Sequence, residues 1–287
     1  MNPSSSTNSG KNIVLMHPGE MGAAVGACLV SRGHRVKWAS GGRSGATVKR
    51  AEAAGLEDAG TVKQALAGAD IVFSICPPHA ALDVAREVAG HGFRGIYVDA
   101  NAVAPGTTRE VGSIVAAAGA HLVDGGIVGS PPDGKNSTRL YLAGQGAAGI
   151  AALLAGSHLD TVVLDAPAGA ASALKVCYAG WTKGSTALLA DIRALAQAEG
   201  VDDALLTEWK ISRPNVVKDS EQIRAAARKA WRWIAEMEEI AASFEAAGLP
   251  GDFHHGAAEI YRRLAEFKDI ATPPEMAKVT EMLKKKR

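Results

Sequence analysis

The chain has 287 residues, 47% of them apolar and 21% charged, with a net charge of +1. That is enough for one large globular domain or two smaller ones. The near-zero net charge gives no electrostatic basis for a nucleic-acid or membrane partner, and no apolar run is long enough to span a bilayer.

The first ten residues, MNPSSSTNSG, are small and polar. Without a basic start or an apolar stretch they read as a disordered lead-in rather than a secretory signal. Residues 13–16 are an apolar run of strand type, followed by the turn HPGEMG and a helix-like stretch. A dinucleotide-binding turn reads G-x-G-x-x-G: the first glycine makes the tight turn, the second lets the backbone approach the pyrophosphate, the third lets helix and strand pack closely. Gly19 and Gly22 hold the second and third places, His17 holds the first, Pro18 fixes its own φ, and Glu20 and Met21 complete the motif. The helix that follows brings amides and dipole to a phosphate. An ordinary strand-to-helix turn is the alternative; the flanking strand, helix and second strand at residues 35–39 favour the nucleotide reading.

The second strand runs into VKWASGGRSG, which has no acid for ribose hydroxyls but offers Ser40, Arg43 and Ser44. Arginine and hydroxyls suit a 2′-phosphate, so NADP(H) is expected over NAD(H), unless Arg43 is only a solvated loop residue. Further strands are expected at residues 71–75, 95–99, 121–128, 139–143 and 161–164, separated mostly by alanine-rich helices. Continuously apolar strands alternating with helices predict an α/β fold, a Rossmann-type doubly wound parallel sheet covered on both faces. Cys76, Pro77 and Pro78 follow one strand, where such folds place a cofactor-facing loop; Cys76 reads as a small lining residue, not a nucleophile. Asn101 follows another strand and is placed to reach a nicotinamide, while Asp99 can simply end that strand.

After residue 168 the strand pattern stops. Residues 169–200 read as one long helix, and the rest as helices broken at Arg213-Pro214, at residues 248–251 and at Pro273-Pro274. The expected organisation is a lead-in at 1–10, a dinucleotide-binding domain at 11–167 and an all-helical substrate and dimerisation domain at 168–287, joined through the long helix. At about 3.6 residues per turn Lys175, Tyr178, Thr182 and Thr186 share one face of that helix, and an amine, a phenol and hydroxyls in a row can exchange a proton with a substrate. The competing reading is the ordinary solvated face of an amphipathic helix. His254-His255 has no third ligand at suitable spacing, so no metal is expected and the pair reads as a substrate contact or helix start. Trp209, Trp231 and Trp233 read as helix-packing anchors. Three scattered cysteines, Cys28, Cys76 and Cys177, point to a reducing compartment, hence the cytoplasm. The basic end at residues 284–287 reads as a solvated helix terminus.

HPGEMG, VDGGIVGSPP at 123–132, GAASALKVCYAG at 169–180 and ALAQAEGVD at the end of the long helix together resemble the β-hydroxyacid dehydrogenase and 6-phosphogluconate dehydrogenase-like superfamily. Its forms of the first three are GxGxMG, DxPVSGG and GxGxxxKxxNN, and the helical half is similar to the poorly characterised C-terminal domain of one branch. The resemblance implies an NADP(H)-dependent oxidoreductase, a homodimer sharing its active sites, and a small β-hydroxyacid or its semialdehyde or ketone as substrate. It places Lys175 on the catalytic lysine, with Tyr178 beside it. It places Asp124, Gly125, Gly126, Val128, Gly129 and Ser130 on the loop that grips the substrate carboxylate, with Thr182 further along the helix. The chain departs from the family at Val128, where a serine is usual, at Tyr178 and Ala179, where two asparagines are usual, and at Ala171, where a glycine is usual. The short helical half makes 6-phosphogluconate itself an unexpected substrate. Two other functions fit the same motifs: an imine reductase with Tyr178 as proton donor, and an NADPH sensor without turnover.

Overall fold

The computed structural model describes residues 10–135, 138–268 and 270–284. The expected lead-in, up to residue 9, and the last basic residues, 285–287, lie outside them. β1 (Asn12–Met16), α1 (Glu20–Ser31), β2 (Arg35–Trp38), α2 (Gly45–Ala53), β3 (Glu57–Asp58), α3 (Val62–Leu66) and β4 (Ile71–Ser74) open the chain. Then come α4 (Ala81–Gly90), β5 (Ile96–Asp99), α5 (Pro105–Ala117), β6 (His121–Val128), β7 (Thr138–Ala143), α6 (Ala147–Leu154) and β8 (Leu159–Val163). From there on only helices follow: α7 (Ala170–Ala198), α8 (Asp202–Ser212), α9 (Pro214–Glu221), α10 (Ile223–Ala227), α11 (Ala230–Ala246), α12 (Asp252–Leu264) and α13 (Met276–Lys284). Residues up to Lys175 form one compact unit and those from Val176 onward a second.

The eight strands lie in one sheet in the order β3-β2-β1-β4-β5-β6-β7-β8. The expected Rossmann-type fold is present, and its strands are parallel except at one place: β7 runs antiparallel to β6. The link between those two strands is too short to hold a crossover helix, so the chain can only fold straight back. β3 was not expected from sequence. It is two residues long, exposed, and tied by the Arg35 Nε to Glu57 carboxylate contact at 2.7 Å.

The apolar strands are buried on both faces, and the two faces have separate partners. Ile13, Leu15, Ile71 and Phe73 pack with α1, α2 and α6; Val14, Met16, Val72 and Tyr97 pack with α3, α4 and α5. Successive residues of β1 therefore serve opposite cores, which is why no polar residue interrupts the strand.

The second unit has its own core, built from Met237, Ile240, Ala258, Tyr261, Leu264 and neighbours on α7 and α10–α13. Trp233 packs edge-on against Tyr261, whose hydroxyl donates to the Lys183 carbonyl at 2.6 Å. Arg193, buried, makes a two-pronged contact with Asp202, at 2.5 and 2.8 Å. Trp231 carries Lys268 over its ring, and Trp209 is half-buried on α8. No helix among the described residues is long and apolar enough to cross a membrane.

The two adjacent histidines part company. His254 is buried between Phe244 and Phe253. His255 bridges α12 to α11, with Nδ1 2.7 Å from Glu238 and Nε2 2.9 Å from Glu245. Those two contacts, Glu245 first, raise His255 above its ordinary value. A histidine raised by folding stabilises most below its unfolded value and loses that contribution as pH rises through the folded value. The melting temperature of the wild type should therefore exceed that of His255→Gln most clearly near pH 6, and the gap should shrink towards pH 9. A gap independent of pH contradicts the assignment.

Candidate functional site

The strand order reverses between β1 and β4, and a doubly wound sheet opens a crevice beyond the carboxyl ends of the strands at such a point. The segments following β1, β2, β4, β5 and β6 carry nearly all the residues singled out from the sequence.

The turn after β1 divides its tasks. Gly19 precedes α1 in an extended conformation, and a Cβ built on it meets nothing within 4 Å. A Cβ on Gly22 would lie 2.6 Å from the His17 carbonyl oxygen, so this glycine lets α1 pack against the end of β1. His17 takes the tight turn itself, with φ at 65°. No side chain caps the start of α1. Glu20 is exposed on its first turn, while Met21 packs partly into the core. The sequence reading missed Arg50 on α2, whose Nη1 donates to the Pro18 carbonyl at 3.3 Å and braces the turn. Nothing local marks it, because the contact joins residues distant in sequence.

The loop after β2 holds Arg43, half-buried, whose guanidinium reaches both His17 and Cys76 electrostatically. Burial, with Arg43's charge second, lowers His17 to about 4, so the imidazole is neutral near pH 7. Ser44 is not a free phosphate ligand: its Oγ accepts from the Thr47 amide and starts α2. An acid does stand here, supplied by β3. The Gly60 amide and the Ser40 hydroxyl bond to Asp58 and hold it below the usual carboxylate range.

After β4, burial pushes the Cys76 thiol up to about 12 and keeps it protonated. Pro77 and Pro78 continue the loop into a short 3₁₀ turn. Asn101 does not present its amide to a ligand. Its Oδ1 accepts from the Cys76 amide at 2.6 Å, and its Nδ2 donates to Ser74 Oγ and Asp99 Oδ1, so it locks the ends of β4 and β5 together. Asp99 is buried, is raised to about 7 chiefly by burial, and has an Oδ2 without a partner.

The expected carboxylate-gripping loop is mostly strand. Asp124 is fully buried on β6, and its Oδ2 accepts from the amides of Gly169, Ala171 and Ser172 at 2.7, 2.8 and 3.1 Å. Its Oδ1 accepts from Ser172 Oγ at 2.5 Å. A carboxylate so occupied anchors the start of α7 and has little left for a substrate. Val128 is likewise buried, at 4% exposure, and its side chain belongs to the packing. Gly125 and Gly126 are spacers: a Cβ on Gly126 would sit 2.5 Å from the Ala171 carbonyl oxygen and 3.2 Å from Lys175 Cβ. Gly129, with φ at 120°, and Ser130 are exposed beyond the strand. Lys175 is thus held on the first turns of α7, against β6. Tyr178, 49% exposed, follows one turn later, and Thr182 turns its hydroxyl back onto the Tyr178 carbonyl. No group of three histidine, cysteine or acidic side chains placed to hold a metal occurs among the described residues.

Residues 13–155 match the family model described as the NAD binding domain of 6-phosphogluconate dehydrogenase, and residues 196–264 match a domain of unknown function. An uncharacterised 28.5 kDa protein of Methanothermus fervidus is 31% identical over 165 residues, 58% of this chain and 63% of that protein, so the chain spans less than two thirds of this relative. A conserved protein of unknown function, whose structure is similar to 3-hydroxyacid dehydrogenases, is 27% identical with a TM-score of 0.69, over 89% of this chain and 97% of that one. 3-Hydroxyisobutyrate dehydrogenase of Mycobacterium tuberculosis, determined with L-serine, matches at 19% identity and a TM-score of 0.69 over 95% and 99%. A reductive aminase of Aspergillus terreus, in complex with NADPH and ethyl levulinate, matches at 16% identity and a TM-score of 0.57, also over 95% and 99%.

Two glycine substitutions should separate folding from binding. Gly22→Ala forces a methyl group onto a backbone oxygen and should cost about 1–3 kcal/mol, read as a fall of several degrees in Tm. Gly19→Val places its side chain in open space and should keep the wild-type Tm while losing dinucleotide binding in calorimetric titration. Wild-type affinity in Gly19→Val contradicts the placement of the phosphates.

Proposed function

Residues 13–155 make this chain a member of the 6-phosphogluconate dehydrogenase family of NAD-binding domains, and from that premise we propose an NADP(H)-dependent oxidoreductase. The proposed reaction moves a hydride between nicotinamide and a small β-hydroxyacid or the matching semialdehyde or ketone. The observation that carries the proposal is the seating of Lys175: Asp124 anchors the first turn of α7, and Gly126 lets that turn lie against β6 beside the strand ends.

The residues present fit the cofactor. Gly19 leaves a face open, Gly22 brings α1 in close, and the start of α1 carries no side-chain cap. Arg43 and Arg50 add positive charge on the same side. When bound, the dinucleotide supplies the hydride chemistry. The chain's part is the proton: in reduction Lys175 Nζ gives one to the carbonyl oxygen, and in oxidation it takes one from the hydroxyl. Ser130 and Gly129, exposed beyond β6, are the part of the expected carboxylate loop still open to a substrate. Arg43 favours a 2′-phosphate, while Asp58 favours ribose hydroxyls. Asp58 is already bonded to Ser40, which supports the NADP(H) preference. A homodimer in the cytoplasm completes the proposal, in keeping with the exposed apolar side chains Trp181, Leu188 and Leu195 along α7.

A second reading is reduction of a C=N bond, as the name of the Aspergillus terreus neighbour suggests. Tyr178, where the family carries asparagine, would then give the proton.

Lys175→Met keeps length and helix propensity but removes the proton, and turnover on a carbonyl substrate should fall about 10²- to 10⁴-fold with NADPH affinity nearly unchanged. Near-normal turnover would bring Tyr178 and the C=N substrate forward. Arg43→Ala should weaken NADPH more than NADH in parallel titrations, by roughly tenfold for the loss of a charged phosphate contact. Equal effects on both cofactors would remove the basis for the preference.

A further inference from the structure

His17 bears two costs that a glycine in its place would not. Among the described residues it is the one non-glycine with positive φ, a conformation glycine takes freely and other L residues reach at a penalty. Its Nδ1 is also buried with no hydrogen-bond partner, which wastes a polar atom. The two costs fall on one residue of the turn that faces the crevice, where the family form has glycine. Strain and an orphaned polar atom at one point of a binding turn indicate a role that is filled only when a ligand is present.

The surroundings specify the ligand's chemistry. Arg43's guanidinium is near enough to depress His17, Arg50 donates into the same turn at Pro18, and α1 begins two residues later without a side-chain cap. Two guanidinium groups and a helix start select an anion, whose oxygens accept hydrogen bonds. A neutral imidazole meets such an oxygen with a protonated nitrogen.

We propose that His17 is a cofactor-binding side chain in its own right: with its proton on Nδ1, it donates a hydrogen bond to an oxygen of the dinucleotide's pyrophosphate. This rests on the NAD(P)-binding reading given above. It adds a side-chain contact to a turn that ordinarily binds through backbone alone.

The test is titration calorimetry of the full chain with NADPH, with ADP as a smaller pyrophosphate and with adenosine as a probe lacking phosphate. The proteins are wild type, His17→Gly and His17→Asn. Asparagine tolerates the left-handed conformation and keeps an N–H donor. His17→Gly should bind NADPH and ADP about tenfold to a hundredfold more weakly, with adenosine unchanged and no loss of Tm. His17→Asn should stay within about threefold of wild type, on the scale of a replaced rather than deleted hydrogen bond. If His17→Gly binds NADPH and ADP as tightly as wild type, or loses adenosine to the same degree, the inference is overturned. A wild type that binds neither NADPH nor NADH overturns the oxidoreductase reading and this inference with it.

Discussion

Asp124 is the side chain on which the geometry of the candidate site depends. One carboxylate, without solvent exposure, accepts three amides and a hydroxyl from the first residues of α7. Those amides have no partners within the helix, so the carboxylate both satisfies them and complements the helix dipole. Because β6 supplies the acid and α7 the amides, the direction in which α7 leaves the sheet is set at this point. Lys175 follows within a turn, and the close approach at Gly126 fixes its height over β6. Removing the acid would strand several buried donors at once, and such losses are worth of order 1–3 kcal/mol each.

A second constraint works through Asn101. Its amide ties the Cys76 backbone to Ser74 and Asp99, so the loops after β4 and β5 move as one piece. The crevice therefore has a rigid floor made by an asparagine and a rigid wall made by an aspartate. Both residues were expected to touch ligands, and both instead hold the backbone that does.

The fold was readable from residue types because its strands are buried on both sides: an uninterrupted apolar run such as residues 13–16, closed by a glycine turn, suits a central strand and little else. The Rossmann-type turn was readable for a related reason, since Gly19 and Gly22 do work that only glycine does. What escaped was tertiary. β3 is too short to show a period, and with it went Asp58, the acid beside the β2 loop. Arg50 acts on Pro18 across the space between α2 and the turn. The orientation of Asp124 could not be told from its motif, because a carboxylate that caps a helix and one that grips a substrate look alike in sequence. His17 carried a usable hint: a place usually held by glycine often demands positive φ, and the histidine there obeys that demand.

The brevity of β3 has an effect on how the sheet ends. A strand at a sheet edge offers a row of unpaired amides and carbonyls on which another chain can grow. Here the row is two residues long and both are acids, exposed to solvent, with Arg35 drawn back onto Glu57 rather than left to greet a newcomer. An approaching strand would find almost no ladder to extend and would have to bring its own backbone against two carboxylates. At this margin the sheet is closed to intermolecular growth by length and charge, with no helix or loop needed as a cover.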